Sequence, residues 1–214
     1  MNDLSAETTT SNLKTMVRDT VRFYDDNADA FWSGTRDHDV SQNRNTLTRH
    51  LNLQSPLRIL DFGCGPGRDL KHFVDEGHQP IGLDASAQAC AMAREWSGCE
   101  VWQQDFLALD LPSGQFDGVF ANASLFHVPS SDIDRVLTTL HGTLKSTGIL
   151  LASNPRGNNQ EGWQVDRFGV FYDLDEWQRR LVQAGFELLD HYLRPPGRPL
   201  HQQPWLVTVA KKLS

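Results

Sequence analysis

LDFGCGPGRDL, residues 60–70, places glycine at every second position, Gly63, Gly65 and Gly67, just after an acidic residue, Asp61. Glycine has no Cβ, so it adopts left-handed backbone at little cost and lets a ligand come close to the main chain. The stretch reads as a short buried strand, with Ile59 and Leu60 its apolar residues and Asp61 its end. It turns through the glycines into a helix over RDLKHFVDEG that stops near Gly77. The GxGxG spacing differs from the GxGxxG dinucleotide fingerprint, and no GKS or GKT phosphate loop is present.

Downstream the alternation repeats. QPIGLD reads as a second strand, SAQACAMAREW as a helix, VWQQDF as a third strand, and FDGVFANASLFHV as a fourth strand running into a loop. SDIDRVLTTLHGTLKSTG is the next predicted helix, capped by Asp132 or Ser131 and stopped at Gly148. GILLASN follows as a fifth strand, DLDEWQRRLVQAG as a helix, GFELLDHYL as a sixth strand and PWLVTVAKK as a seventh. This order predicts an α/β fold: a seven-stranded, mostly parallel sheet with helices on both faces and an antiparallel terminal strand. Upstream, LKTMVRDTVRFYDDNADAFW reads as helical, with Leu13, Met16, Val17, Val21 and Tyr24 near one face. Residues 1–12 read as a mobile tail. The predicted organisation is one domain: tail, helix and lid over 1–45, packed on a core over 46–214.

Composition narrows the partners. Twenty Lys and Arg against 27 Asp and Glu give a net charge of −7, which argues against a broad nucleic-acid surface and suits a small or cationic ligand. The three cysteines, Cys64, Cys90 and Cys99, are too few for a disulfide framework and form no CxxC pair, and no metal is expected. No apolar run reaches membrane-spanning length and no secretory segment is evident, so a cytoplasmic setting without a membrane partner is expected.

In an open α/β sheet, ligands occupy the crevice beyond the carboxyl ends of the strands, where LDFGCGPGRD, GLDAS, QQDF and NASLFHVP all fall. Asp84, 21 positions beyond Gly63, can accept hydrogen bonds from a ribose diol, a placement that also fits NAD. Asp105, at the end of the third strand, can accept from an adenine amine or cap a helix, while the Phe106 ring or the neighbouring backbone fixes the adenine face. Asp61 can accept from an amino group or order the loop; beside a pyrophosphate a carboxylate gains nothing, which favours a positively charged sulfonium cofactor.

These four segments together resemble the class I S-adenosylmethionine-dependent methyltransferase family, over roughly residues 20–210. The resemblance implies the Rossmann-like fold of that family, S-adenosyl-L-methionine as cofactor and S-adenosyl-L-homocysteine as product. It implies that Asp61 and the turn of Gly63, Cys64, Gly65 and Gly67 hold the methionine end, with Cys64 packing rather than reacting. Asp84 with Ala85 would hold the ribose, and Asp105 with Phe106 the adenine. Asn122, Ala123 and Ser124 would border the sulfonium centre. Tyr24 resembles an aromatic residue of an N-terminal segment folded over the cofactor; packing between helices is the equal alternative.

Methyl transfer requires an acceptor aligned behind the methyl group, and alignment with exclusion of water supplies much of the catalysis. FWSGTRDHDVSQN, residues 31–43, is either a solvated loop or, as the resemblance implies, part of a lid. As a lid, His38 accepts the acceptor's proton, with Asp37 or Asp39 orienting it or holding positive charge. Gln42 and Asn43 contact substrate or cap the next helix. His127 orients the acceptor or stabilises its loop. The long polar connection 153–173 offers Asn154, Arg156, Trp163 and Tyr172 as contacts. Arg194 and Arg198, in a proline-rich link, can grip a carboxylate. The expected acceptor is a small polar metabolite, with an amine or imidazole nitrogen favoured and a thiol open; a noncatalytic adenosyl-ligand binding protein is the alternative from another class. An NAD oxidoreductase is weakened by GxGxG with Asp61 and Asp105, and no DPPY-like or NPPY-like segment supports a nucleic-acid substrate.

Overall fold

The computed structural model describes residues 3–51 and 56–214, with side chains from residue 15 onward. Seven strands form one sheet: β1 (Arg58–Phe62), β2 (Gln79–Asp84), β3 (Val101–Gln103), β4 (Phe116–Asn122), β5 (Leu144–Pro155), β8 (Phe186–Arg194) and β9 (Trp205–Lys212). Their order is β3-β2-β1-β4-β5-β9-β8. β9 is antiparallel to both β5 and β8, and the strands from β3 to β5 are parallel. The chain thus works outward from β1 through β2 to β3, then returns to lay β4 on the other side of β1. That reversal opens a crevice at the carboxyl ends of β1 and β4, where ligands of open α/β sheets bind.

Burial with period two builds the two faces of the sheet. Ile59, Phe120, Leu151, Val207 and Val209 pack with Leu47 and Leu51 of α3 (Ser41–Leu51) and Phe73 of α4 (Arg68–Asp75). Leu60, Phe62, Val119, Ala121 and Leu150 turn the other way, onto Val136, Leu137 and Leu140 of α6 (Ile133–Thr143) and Trp177 and Leu181 of α7 (Leu174–Gln183). Each such Leu, Ile or Phe contributes about 1.5–3 kcal/mol by leaving water. Gly118 keeps α3 close: a Cβ there would stand 3.1 Å and 3.2 Å from the Leu51 and Leu47 methyls. Leu70, Cys90, Ala93 and Val101 form a smaller core between α4 and α5 (Ala87–Ser97).

α1 (Asp3–Asp26) and α2 (Ala28–Thr35) precede this core. The predicted tail begins outside the described residues, and from Asp3 its backbone belongs to α1. The side chain of Leu13 also lies outside the described residues.

Three expectations are corrected. The helix predicted to run to Gly148 ends at Thr143, because Leu144 is fully buried, goes extended and pairs with Phe116; Lys145–Thr147 then bulge outward as exposed residues before pairing resumes at Ile149. Asp132 occupies the N-cap of α6, but its carboxylate accepts from Arg135 at 2.7 Å instead of a helix N–H. The polar connection 153–173 contains a hairpin, β6 (Gln160–Gln164) with β7 (Arg167–Phe171). Its turn has Val165 at φ 56°, the left-handed backbone that tight hairpin turns require.

Candidate active site

The glycine turn is pinned to the end of β2, where the Gly63 and Cys64 N–H groups both donate to the Leu83 carbonyl at 2.7 Å and 3.0 Å. All three glycines have positive φ, at 76°, 52° and 91°. At Gly63 a Cβ would sit 2.3 Å from Cβ of Ser124, which is itself anchored by its hydroxyl donating to the Phe62 carbonyl at 2.6 Å. At Gly67 a Cβ would lie 2.8 Å from the Ala93 Cα, so this glycine lets α4 approach α5. Asp84 ties the turn together: Oδ2 accepts from Gly65 N–H and Oδ1 from Ser86 N–H, each at 2.9 Å. Each carboxylate oxygen has two lone pairs, so both retain capacity for a ligand hydroxyl.

A cavity of about 750 Å³ opens between this turn, the ends of β2 and β4, and the helices α1 and α2. α1 is fastened over it at three points. Asp25 accepts from the Ser86 hydroxyl at 2.6 Å and Gln88 N–H at 3.1 Å, and Thr20 Oγ1 accepts from Phe168 N–H at 3.0 Å. The third point is Tyr24, 2.8 Å from His127 Nε2. His127 Nδ1 lies 2.6 Å from the Phe168 carbonyl, so it carries the proton, Nε2 is the acceptor and the Tyr24 hydroxyl donates to it. Arg167 donates to the Tyr24 oxygen at 3.3 Å, with its guanidinium over the Phe23 and Tyr24 rings at 5.1 Å and 5.8 Å. Burial lowers His127 to about 4, leaving a neutral imidazole with both nitrogens engaged. Burial raises the Tyr24 phenol, which the Arg167 hydrogen bond partly opposes.

Charge is concentrated where α4 begins. Asp61 is 2% exposed, and its Oδ2 is buried without a partner. Burial raises it well above the usual carboxylate range, and the neighbouring Asp69 charge adds to that. Asp69 bridges two cations, Arg44 at 2.8 Å and Arg68 at 2.6 Å. Burial also raises Asp84, against the hydrogen bonds from Ser86 and Gly65. Cys64 lines the cavity with its thiol pushed well up, first by burial and then by the charge of Asp61, so a reactive thiolate is disfavoured. An unpartnered buried carboxyl, a cavity-lining turn held in left-handed backbone by glycines and a second acid with spare lone pairs fit the amino acid end and ribose of S-adenosylmethionine.

Most of the residues predicted for the cofactor converge here. Tyr24, Asp61, Gly63, Cys64, Gly65 and Asp84 line the cavity, with Ala85, Phe106, Asn122 and Ala123. Ala123 has φ 64°, a strained non-glycine position beside Ser124. Phe106 stacks on Phe62 at 4.3 Å between centroids. Asp105 lies outside the lining: β3 ends at Gln103, and the exposed carboxylate caps its own turn by accepting from Leu107 N–H at 2.8 Å. Gly67 also lies outside, for the packing reason given above.

The residues predicted for the acceptor separate. His38, Asp39, His127 and Arg194 line the cavity. His38 is exposed at its rim, and among the described residues no hydrogen bond joins its ring to either acid. Asp37 lies outside, 3.3 Å from Arg36 Nε. Asp39 accepts from Ser41 N–H at 2.9 Å at the start of α3, and its carbonyl accepts from Arg194 at 2.7 Å. Asn43 is fully buried behind the wall, donating to Asn122 Oδ1 and accepting from the Tyr192 hydroxyl, each at 2.9 Å, so it positions Asn122. Asn154, Arg156, Trp163 and Arg198 are not in the lining. Arg156 donates to the Leu200 carbonyl at 3.0 Å. Tyr172 belongs to the core, 5% exposed and stacked on Trp177 at 5.6 Å.

Sequence reasoning missed Arg167, Phe126, Trp32 and Trp205, all of which line the cavity. For Trp205 a signal existed: an antiparallel final strand brings its first residue to the carboxyl end of its neighbour, and Trp205 pairs with Pro155.

Fold and cavity together define a class I S-adenosylmethionine-dependent methyltransferase, an enzyme that uses S-adenosylmethionine. Residues 59–148 match the family model described as a methyltransferase domain. An uncharacterized methyltransferase of Schizosaccharomyces pombe is 27% identical over 191 residues, 77% of this chain and 73% of that protein. A malonyl-[acyl-carrier protein] O-methyltransferase of Enterobacter lignolyticus is 30% identical over 135 residues, 60% of this chain and 53% of that protein. Among solved structures, the Burkholderia thailandensis 1,6-didemethyltoxoflavin-N1-methyltransferase, with its acceptor and S-adenosylhomocysteine bound, superposes with a TM-score of 0.76. It is 23% identical, with 96% of this chain and 90% of that chain covered. Among the described residues no helix is long and apolar enough to cross a membrane.

Proposed function

We propose that this methyltransferase acts on a small polar metabolite and methylates an amine or imidazole nitrogen. Bound S-adenosylmethionine supplies an electrophilic methyl group on a sulfonium sulfur. In this reading Asp61 accepts from the amino group of the methionine end, the Gly63–Gly67 turn passes close to it, and Asp84 accepts from the ribose hydroxyls. Phe106 covers the adenine. Asn122, held by buried Asn43, borders the reacting centre with Ala123. Tyr24 closes the site from above.

The observation that carries the choice of nitrogen is the state of His127, the buried imidazole beside the cavity. Its Nδ1 donates to the Phe168 carbonyl and its Nε2 accepts from Tyr24, so it is already fully hydrogen-bonded. A nucleophile that enters neutral needs alignment rather than a strong buried base, which suits an amine or imidazole better than an alcohol. His38, at the rim with its ring unpaired among the described residues, takes the proton released after transfer, and Asp37 and Asp39 keep that rim acidic. Arg194 faces the acceptor's anionic end from the same rim.

The test is a labelled-methyl transfer screen with S-adenosylmethionine against matched amines, imidazoles, thiols and phenols. Turnover of amines or imidazoles with formation of S-adenosylhomocysteine is expected. Turnover confined to thiols or phenols would reject the nitrogen assignment, and cofactor binding without turnover in any class would support a binding protein instead.

A further inference from the structure

A second cavity of about 310 Å³ lies beneath the β6–β7 hairpin, and it shares Phe126, His127, Arg167 and Trp205 with the first. The two spaces therefore meet across a wall of rings and one guanidinium. The smaller one is otherwise bounded by Pro155, Gln164, Phe168, Gly169, Phe171 and Pro204. Its surround is aromatic and proline-rich, suited to a flat apolar group of about one ring, at the lower end of ligand pocket volumes.

Arg167 gives this shared wall its charge. Among the described residues it has no carboxylate within ion-pair distance, and of its donors only Nη1 has a protein partner, the Tyr24 oxygen at 3.3 Å. The guanidinium packs against the Phe23 and Tyr24 rings, with Cζ 5.1 Å and 5.8 Å from their centroids. A preoriented, half-buried guanidinium with unspent donors between two cavities matches a carboxylate, which it can grip through two parallel bonds.

Gly169 keeps the chamber open. A Cβ there would stand 2.8 Å from Phe171 Cζ and 3.2 Å from Phe126 Cδ2, both rings of the chamber wall. The φ of Gly169 is not in the left-handed region, so alanine fits the backbone and its cost falls on those two rings.

We propose that the second cavity is a distal acceptor subsite opening from the first, which receives a planar ring of a carboxylate-bearing heteroaromatic acceptor while Arg167, in the wall the two cavities share, grips the carboxylate. This rests on the methyl-transfer reading above and deepens it, by adding a second ring and an anionic group to the nitrogen acceptor.

The experiment is calorimetry in two stages on the intact chain. S-adenosylhomocysteine is titrated first; no binding to the unaltered protein would overturn the cofactor reading and the subsite with it. The S-adenosylhomocysteine complex is then titrated with benzimidazole-5-carboxylate, benzimidazole and imidazole-4-carboxylate. The bicyclic carboxylate is expected to bind about 10-fold or more tighter than either partial analogue, the size of one well-made charge-assisted contact. R167Q is expected to erase its advantage over benzimidazole. G169A is expected to erase its advantage over imidazole-4-carboxylate and to leave S-adenosylhomocysteine affinity unchanged, which also verifies folding. Normal cofactor binding with the three probes equal in the unaltered protein, or with the bicyclic preference intact in G169A, would overturn the subsite alone.

Discussion

Gly63→Ala tests the tightest contact in the cofactor cradle. The new Cβ would stand 2.3 Å from Ser124 Cβ, well inside van der Waals contact, and the residue would have to hold φ 76°. Left-handed backbone costs a non-glycine residue about 1–2 kcal/mol. Relief of the overlap must move Ser124, whose hydroxyl bond to the Phe62 carbonyl at 2.6 Å adds about 0.5–1.5 kcal/mol when lost. The sum, about 1.5–3.5 kcal/mol, lowers the melting temperature of a chain this size by roughly 3–14 °C. Cofactor affinity should fall as well, since the displaced segment is the exit of β4 that borders the cavity. The assay is thermal melting and S-adenosylhomocysteine calorimetry on Gly63→Ala, Ser124→Gly and the double variant. Ser124→Gly removes the Cβ that is struck, so the double variant should be more stable than the sum of the singles by about 1 kcal/mol, while the φ cost persists. Native melting and affinity in Gly63→Ala would refute the clash, and strict additivity would show that Ser124 is not what the new methyl meets.

Asp84→Ala should lower cofactor affinity by about 10-fold or more in calorimetry and also destabilise the fold, because it strips acceptors from Gly65 N–H and Ser86 N–H as well as from the ribose. Unchanged affinity in a folded variant would remove the ribose role. Tyr24→Phe leaves His127 Nε2 without its donor and should cost about 1–3 kcal/mol in denaturant unfolding. His127 also fixes a pH dependence. Its pKa falls from 6.5 unfolded to about 4 folded, so the unfolded chain binds the extra proton between those values. Its share of stability is complete above pH 6.5, declines as pH falls toward about 4, and amounts to about 3 kcal/mol. Asp61 and Asp84, raised in the fold, contribute the opposite slope above pH 3.8, so the measurement is the difference between unaltered and His127→Phe unfolding curves. A difference independent of pH would contradict the buried neutral imidazole.

What the sequence revealed divides by range. The strand, turn and helix around Gly63–Gly67 were legible because glycine spacing and a nearby apolar run act within a dozen residues, and Asp84 followed as the end of the next strand. The hairpin was not, because β6 is almost entirely exposed and polar and gives no alternation of apolar residues. α6 was extended too far because Lys-Ser-Thr after Thr143 carries no stop signal, whereas the burial of Leu144 against the sheet ends the helix. The acid pair around His38 could be seen as composition but not as geometry: whether Asp39 caps Ser41 or faces a ligand depends on backbone angles. Asn43 shows the long-range limit, since its partners Asn122 and Tyr192 lie 79 and 149 residues away. Arg167 was hidden for the same reason, being brought to the cavity by a hairpin and by α1 from the other end of the chain.

The most direct test of the whole account is single-turnover methyl transfer from isotopically labelled S-adenosylmethionine to benzimidazole-5-carboxylate and the amine and imidazole panel, with both products followed by mass spectrometry. The expected result is one labelled methyl on an acceptor nitrogen for each S-adenosylhomocysteine formed. Tight S-adenosylmethionine binding with no S-adenosylhomocysteine above the acceptor-free background, for any acceptor class, would contradict it.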